Sequence, residues 1–318
     1  MVCTRCMTYN HAPFIKSALE GFAMQQTDFP MIFAVVDDSS TDGEADVIRQ
    51  WAEEHLALDE KGYAFRKTMP YGEQIFARHR ENANASFVIV LLSENHTQAG
   101  RGGLKLNYIS DCCGVYKYLA LCEGDDYWID PKKLQKQVDF LESHPDHTLC
   151  IHAYRRDEYK GDEVVSREVY KYSSDVEIIP DEDVLNGTGM FGATASMVYR
   201  ASAVKDYPDW TKRAPVGDRP LKFVLFARGH IAYINEVMSV YRVGVPGSWT
   251  VRVNRNRKEN RKTRQRFVRL LVDFDNWTGK KYHSLVAKAI RDYKKACRKN
   301  DIRYLILKPY RQLKRLFK

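Results

Sequence analysis

Twice in this chain a short apolar run ends in a pair of adjacent carboxylates. Met31 to Val36 runs into Asp37 and Asp38, and Tyr118 to Cys122 runs through Glu123 and Gly124 into Asp125 and Asp126. Apolar runs of this length, bounded by turn residues, read as buried strands. Two acids at the open end of a buried strand are costly unless something cationic meets them. A divalent metal is a fitting partner, because carboxylates bind it as hard oxygen ligands. The alternative is a solvated turn with a helix cap, since Asp130-Pro131 opens the next helical pattern.

Strand and helix patterns alternate around these two runs. Val2 to Met7 reads as a first strand. Ala12 to Gln26 reads as a helix, with Ile15, Leu19 and Phe22 on one face and Pro13 tolerated in the first turn. Asp42 to Leu56 is a second helix, opened by Ser/Thr/Asp capping chemistry. Phe87 to Leu92 is a further strand, and a turn with Gly100, Gly102 and Gly103 leads into a helix through Tyr108 and Cys112. Lys132 to Ser143 is helical. This alternation predicts an α/β fold with a mostly parallel sheet covered on both faces. Residues 67–85 read as a polar, irregular surface insertion, and Ile151 to Tyr241 as short strands and loops with an occasional helix.

Parallel neighbours would bring both acidic strand ends to one rim of the sheet, beside Thr8, Tyr9 and Asn10 at the end of the first strand. Ligands of open α/β sheets bind at such rims. An aromatic ring, hydrogen-bonding side chains and carboxylates together suit a nucleoside. No G-x-G-x-x-G follows the first strand and no G-x-x-x-x-G-K-[ST] is present, which argues against a dinucleotide fold and a P-loop NTPase.

At this point the sequence resembles a known family. Cys6-Met7-Thr8-Tyr9-Asn10-His11, Val36-Asp37-Asp38-Ser39-Ser40-Thr41-Asp42-Gly43 and Glu123-Gly124-Asp125-Asp126-Tyr127-Trp128 look like the signature blocks of family 2 glycosyltransferases of the GT-A fold, in their bacterial surface-polysaccharide type. The resemblance covers about residues 1–250. It implies a Rossmann-like, mixed but mostly parallel sheet with helices on both faces. It also implies a nucleotide-binding half over about 1–130, an acceptor half over about 131–250, and a basic helical extension over 251–318.

The same resemblance implies roles. Thr8, Tyr9 and Asn10 would line the donor nucleotide pocket, with Tyr9 against the base. Asp38 would accept a hydrogen bond from the base imide, with Asp37 as its helper. Asp126 would ligate Mn²⁺ or Mg²⁺, and Asp125 would face the ribose or a metal-bound water. Asp218 would be the general base for the acceptor hydroxyl; its other reading is the helix cap ahead of Pro220, and it can be both. The implied reaction is an inverting transfer from a nucleotide-diphospho-sugar, a UDP-sugar for preference, to a glycan or lipid-linked acceptor. The segment Tyr241 to Trp249 has the look of the family's closing loop but carries no histidine for the metal. Arg242 would contact phosphates or form a structural salt bridge. His11, His96 and His152 read as satisfied or exposed, with no ligand spacing.

Composition limits what the rest of the chain does. The net charge is +9 over 318 residues, yet residues 252–318 hold 23 Lys and Arg against 5 Asp and Glu, while residues 1–251 hold 27 against 36. A mildly acidic body thus carries a strongly basic tail, which points to an anionic surface at one end. In that tail Phe267, Leu270, Leu271 and Phe274 share a helix face expected to pack on the body. Val286, Ile290 and Tyr293 repeat the pattern, and Tyr310, Leu313 and Phe317 form a basic amphipathic segment suited to an anionic membrane. These aromatics follow a helical face rather than a stacking platform, so no nucleic acid is expected. No run reaches the roughly 18 apolar residues of a membrane span, and no secretory signal precedes the first strand. The expectation is a cytoplasmic protein, peripheral on the inner face of the membrane. Seven cysteines without a regular framework suit a reducing compartment. Cys3 and Cys6 read as structural, because residues three apart on a strand point to opposite faces. A nucleotidyltransferase shares the acidic metal chemistry, but the phosphate loop expected after its first strand is missing.

Overall fold

The structure is a computed structural model. It describes residues 1–318 except 162, 174–175, 187–191, 246–247, 249–250, 252–256 and 299–318. In chain order its strands are β1 (Val2–Thr8), β2 (Met31–Asp37), β3 (Phe65–Met69), β4 (Gly72–Arg78), β5 (Ala85–Leu92), β6 (Tyr118–Leu121), β7 (Tyr127–Trp128), β8 (His147–Lys160), β9 (Glu163–Tyr170), β10 (Val198–Arg200) and β11 (His230–Val243). The helices used below are α1 (Ala12–Ala23), α2 (Glu44–His55), α3 (Asn107–Cys113), α4 (Lys133–Ser143), α5 (Asp181–Asn186) and α6 (Asp218–Arg228).

The strands form one mixed sheet in the order β3-β4-β5-β2-β1-β6-β10-β8-β11-β7, with β9 on β8. β5, β2, β1 and β6 run parallel. Thr8 pairs with Asp37, and Arg5 with Leu121, so the acidic ends of β2 and β6 flank the end of β1. The predicted rim is therefore present, and the fold class is as expected: α/β, with helices on both faces.

Alternation along β1 sorts the two cores. Cys6 packs with α1, α2 and α4 through Ile15, Phe22, Ile48, Trp51 and Leu134. Cys3 and Met7 pack on the other face with α3, α5 and α6. The C-x-x-C pair thus divides between two cores, as strand geometry requires. In α2, Gly43 takes the cap position with φ 89°, and Asp42 Oδ1 accepts the Glu44 N–H at 3.1 Å.

Two expectations are corrected. Residues 67–85 are not an irregular insertion: β3 and β4 form an antiparallel hairpin on the edge of the sheet. The reading missed it because Glu73 and Gln74 mask the apolar face that Ile75 and Ala77 bury, while Glu73 bridges Arg49 and Arg66. Ile151 to Tyr241 contributes to two 14-residue strands, β8 and β11, which pair in parallel. Their length was hidden by register shifts at Ile234 to Ser239 and by the polar outer ends of both strands.

The basic extension packs on the body as far as it is described. Helix Arg257–Trp277 buries Leu270, Leu271 and Phe274, and residues 283–298, also helical, bury Val286 and Ala289, all in the α6 core. The Phe274 ring sits among Trp210, Phe223, Phe226 and Tyr282. The segment with Tyr310, Leu313 and Phe317 lies outside the described residues. No described helix is long and apolar enough to cross a membrane. Phe274→Ala should cost about 3–5 kcal/mol in urea unfolding, as for other buried aromatics. A cost below about 1 kcal/mol would mean that this helix is not integral to the core.

Candidate functional site

The turn after β6 is where three carboxylates meet. Glu123, Asp125 and Asp126 each offer an oxygen, and these oxygens lie within 4.8 Å of one another. Gly124 makes the turn possible. A Cβ there would stand 2.0 Å from Thr8 Oγ1 and 2.5 Å from Thr8 Cβ, so no other residue fits without moving the end of β1. Downstream, β7 pairs with Ser239 and Val240 of β11, and Trp128 Nε1 donates to the Ala195 carbonyl at 2.8 Å. The turn is pinned on both sides.

Arg242 spends itself on this turn. Its backbone N–H donates to Asp126 Oδ1 at 2.8 Å, and its Nη1 donates to the Asp125 carbonyl at 2.9 Å. Its guanidinium also lies over the Tyr127 ring and reaches Ser17 Oγ. Arg242 thus clamps the turn through its own N–H and the Asp125 carbonyl, and it also lines the cleft. The other Asp126 oxygen, Oδ2, is buried with no hydrogen-bond partner.

The electrostatics follow from this crowding. Burial raises the Asp126 pKa well above the carboxylate range, with Asp125 adding to it. Glu123 is open to the cleft, but desolvation at the cleft floor and the charges of Asp125 and Asp218 push it up to about 8. An orphaned buried oxygen, beside two more carboxylates, fits a hard divalent cation held by Glu123, Asp125 and Asp126. Sequence reasoning had named Asp125 and Asp126 but missed Glu123; its signal was its place in the same turn.

On the far side of β1, the ends of β1 and β2 are tied by Glu44. This buried carboxylate takes the Thr8 hydroxyl on Oε1, and the His11 N–H and Ser40 hydroxyl on Oε2, each at 2.8 Å. Ser40 Oγ, with one proton to share, also lies in hydrogen-bond contact with Asp37 Oδ1. Asn10, at φ 58°, accepts the Thr41 N–H at 2.8 Å. Burial pushes the Asp37 carboxyl up to about 6, against the hydrogen bonds from Ser40. Thr8 and Asp37 are therefore buried framework of the rim. His11 continues the network, with Nδ1 3.2 Å from Thr8 Oγ1 and Nε2 3.7 Å from Asp125 Oδ2.

Asp38 is also buried. It accepts the His96 N–H at 2.8 Å, the Thr97 N–H at 3.2 Å, the Thr97 hydroxyl, and Lys105 Nζ at 3.0 Å. Burial works to raise its pKa, but Thr97 and Lys105 hold it below the ordinary value. Three of these donors converge on Oδ2, and Oδ1 takes the His96 N–H alone, which leaves it room for one further donor. Tyr9 lies within reach of the same loop, with Gln98 Nε2 3.4 Å from its hydroxyl.

Asp218 opens α6 and lines a cleft of about 1440 Å³ together with Glu123, Asp125 and Lys222. Lys222 Nζ lies 3.4 Å from Asp218 Oδ2 and donates to the Gly192 carbonyl at 2.6 Å. The N-cap position of α6 is Gly217, and Asp218, the first helical residue, lines the cleft. Tyr9, Asp37 and Asp38 do not line this cleft, so the acidic turn separates the β1/β2 rim from the α6 side.

Comparison with known proteins places the fold. The structure of TarS 1-349 from S. aureus in complex with UDP-GlcNAc superposes with a TM-score of 0.56 at 13% identity, over 92% of this chain and 71% of that one. The mannosyltransferase PcManGT from Pyrobaculum calidifontis, in complex with GDP-Man and Mn²⁺, superposes at 0.51 with 15% identity, over 98% and 82%. The chain therefore has the fold of GT-A-type glycosyltransferases. By sequence it is 33% identical over 247 residues to uncharacterized proteins of Mycobacterium tuberculosis and Mycobacterium bovis, over 76% of this chain. The chain spans 59% of the length of these relatives. No family model matches it.

The crowded carboxylates give a signed pH prediction. Groups whose folded pKa lies above the unfolded value bind more protons folded than unfolded, so they lower stability as pH rises. For Glu123 that window runs from its ordinary 4.5 to about 8. Protons and Mn²⁺ compete for the same oxygens. Mn²⁺ should therefore raise Tm by more at about pH 8 than at about pH 5, and Asp126→Asn should abolish the rise. Equal shifts at both pH values, or an undiminished shift in the variant, would refute the site.

Proposed function

We propose that this protein is a metal-dependent, inverting glycosyltransferase of family 2. It moves a sugar from a nucleotide-diphospho-sugar to an acceptor hydroxyl. The observation that carries this reading is the shared cleft of Asp218 and the Glu123/Asp125/Asp126 turn, with the orphaned Asp126 oxygen beside it, on a GT-A fold. TarS bound to UDP-GlcNAc and PcManGT bound to GDP-Man and Mn²⁺ support a nucleotide-sugar donor. A UDP-sugar is our choice of donor.

Each residue then has a task. Tyr9 lies against the base, and Asp38 accepts the base imide on Oδ1. Thr8, Asn10 and Asp37 line the nucleotide pocket beside them, held in place through Glu44 and Ser40. Asp125 faces the ribose side of the acidic turn. Glu123, Asp125 and Asp126 would hold Mn²⁺ or Mg²⁺, which supplies positive charge opposite the departing diphosphate.

Asp218 takes the proton of the acceptor hydroxyl on a carboxylate oxygen. The acceptor oxygen bonds to the anomeric carbon from the face opposite the leaving group, and the bond from that carbon to the diphosphate oxygen breaks. The nucleoside diphosphate leaves with the bonding pair, and the configuration inverts. Lys222 Nζ, 3.4 Å from Asp218 Oδ2, holds that carboxylate in place beside the cleft. Holding the donor at the β1/β2 rim and the acceptor in the Asp218 cleft, so that they meet at the acidic turn, supplies much of the rate.

Residues 1–250 form the catalytic unit, with the nucleotide half to about 130, and 251–318 form the basic extension. The acceptor is a glycan or lipid-linked glycan of bacterial surface polysaccharide. The basic extension meets an anionic membrane on its cytoplasmic side.

The test is a screen of UDP-, GDP-, dTDP- and CMP-sugars with Mn²⁺, read as released nucleotide. The expected product with one diphosphate class is the nucleoside diphosphate. Pyrophosphate release would instead indicate nucleotidyl transfer, and no turnover or binding by any donor would end the transferase reading. Asp218→Asn should lower kcat by about 10²–10⁴-fold, the usual worth of a general base, while nucleotide binding persists. An unchanged kcat would remove Asp218 from the chemistry.

A further inference from the structure

The cleft runs well past the acidic turn. Its floor is the face of the sheet on which Arg5, Met7, Leu119, Leu121 and Tyr199 stand, from β1, β6 and β10. This floor is mostly apolar, yet it contains a guanidinium. Arg5 Nη2 donates to the Tyr116 hydroxyl at 3.1 Å. Its Nε is buried with no hydrogen-bond partner. The groups that act on it electrostatically are Tyr199, Tyr116 and Cys3, with no carboxylate among them. Among the described residues no acid forms an ion pair with it.

That arrangement is expensive unless something else completes it. Guanidinium has five donors in a planar fork that matches carboxylate and phosphate oxygens. A buried cation left unpaired costs more than one that is paired. Elsewhere Lys222 is met by Asp218, Asp38 by Lys105, and the buried Lys133 by the Gln137 amide oxygen. Arg5 is half-buried and faces open cleft.

Position and surroundings narrow the ligand. Arg5 pairs with Leu121 in the sheet, and Glu123 lies two residues further along. At about 3.3 Å per residue the root of Arg5 is roughly 7 Å behind the acidic turn, on the same face. A sugar ring spans such a gap. The cleft is also lined by Leu106, Val115 and Tyr207, which are 39%, 93% and 40% exposed. Exposed apolar side chains along a cleft offer a surface for the apolar part of a ligand.

We propose that Arg5 is the anion-binding element of an acceptor subsite, taking the phosphate or carboxylate of an amphiphilic acceptor whose apolar part lies against Leu106, Val115 and Tyr207. The word acceptor rests on the transferase reading; the anion site does not. In this arrangement the anion anchors the molecule at Arg5 and its hydroxyl reaches Asp218.

The test is calorimetric binding of decyl phosphate, decanoate, inorganic phosphate and the neutral decyl glucoside to the full chain. EDTA is present, so that no metal at the acidic turn recruits phosphate. At least one anionic amphiphile should bind on the order of tenfold or more tighter than decyl glucoside, the worth of about one charge-assisted contact. The tighter of decyl phosphate and decanoate identifies the group. Arg5→Gln should remove the preference and Arg5→Lys retain part of it, while nucleoside diphosphate binding with Mn²⁺ stays unchanged in both. Equal binding of neutral and anionic amphiphiles, no binding of either, or a preference that survives Arg5→Gln would overturn the proposal. Inorganic phosphate binding as tightly as decyl phosphate would overturn its amphiphilic part. The wild-type comparison stands alone if Arg5→Gln does not fold. Loss of nucleotide binding by the wild type, with the anion preference intact, would sink the transferase reading alone; the reverse would sink the anion subsite alone.

Discussion

Three carboxylates that repel one another are held together at the end of β6, and much of the structure serves to keep them there. Gly124 is pressed against Thr8 so closely that no side chain fits. Arg242 clamps the turn mainly through backbone groups, which leaves the Asp126 Oδ2 atom buried and unsatisfied. Such an arrangement stores unfavourable electrostatic energy in the free protein. A divalent cation would release it, so the site is built before its ligand arrives. Preorganisation of this kind is what electrostatic catalysis requires.

β1 is the axis of that arrangement. Its end lies between the acidic turn and the β2 rim, and Glu44 joins Thr8, His11 and Ser40 across the gap. His11 then reaches Asp125. The two halves of the site thus meet at His11, whose Nε2 stands 3.7 Å from Asp125 Oδ2. One face of β1 presents Cys6 to the α1/α2 core, and the other presents Arg5 and Met7 to the cleft. A strand that is buried on one face and opens on the cleft at the other can carry both stability and recognition.

Much of this was legible in the sequence, because strand ends are marked by abrupt changes of polarity. The apolar runs before Asp37 and Asp125 gave the parallel centre of the sheet, and the spacing of Leu270, Leu271 and Phe274 gave the packed face of the tail helix. What escaped was set by partners distant in sequence. The β3–β4 hairpin is an edge, where polar side chains hide the alternation. β8 and β11 are interrupted by register shifts that no local pattern announces. Glu44 looks like an ordinary first-turn acid, and only the fold brings it to Thr8. Lys105 lies 67 positions from Asp38. Arg242 was visible as a cation in the right place, but its choice of backbone over carboxylate depends on side-chain geometry alone.

The account stands or falls on the acidic turn. The most direct measurement is anomalous scattering at the manganese edge from crystals grown with Mn²⁺ and a nucleoside diphosphate. The account predicts a peak within ligating distance of Asp126 and its neighbours in the Glu123/Asp125/Asp126 turn, with the diphosphate beside it. A manganese peak elsewhere, or a bound diphosphate with no metal at this turn, would contradict it.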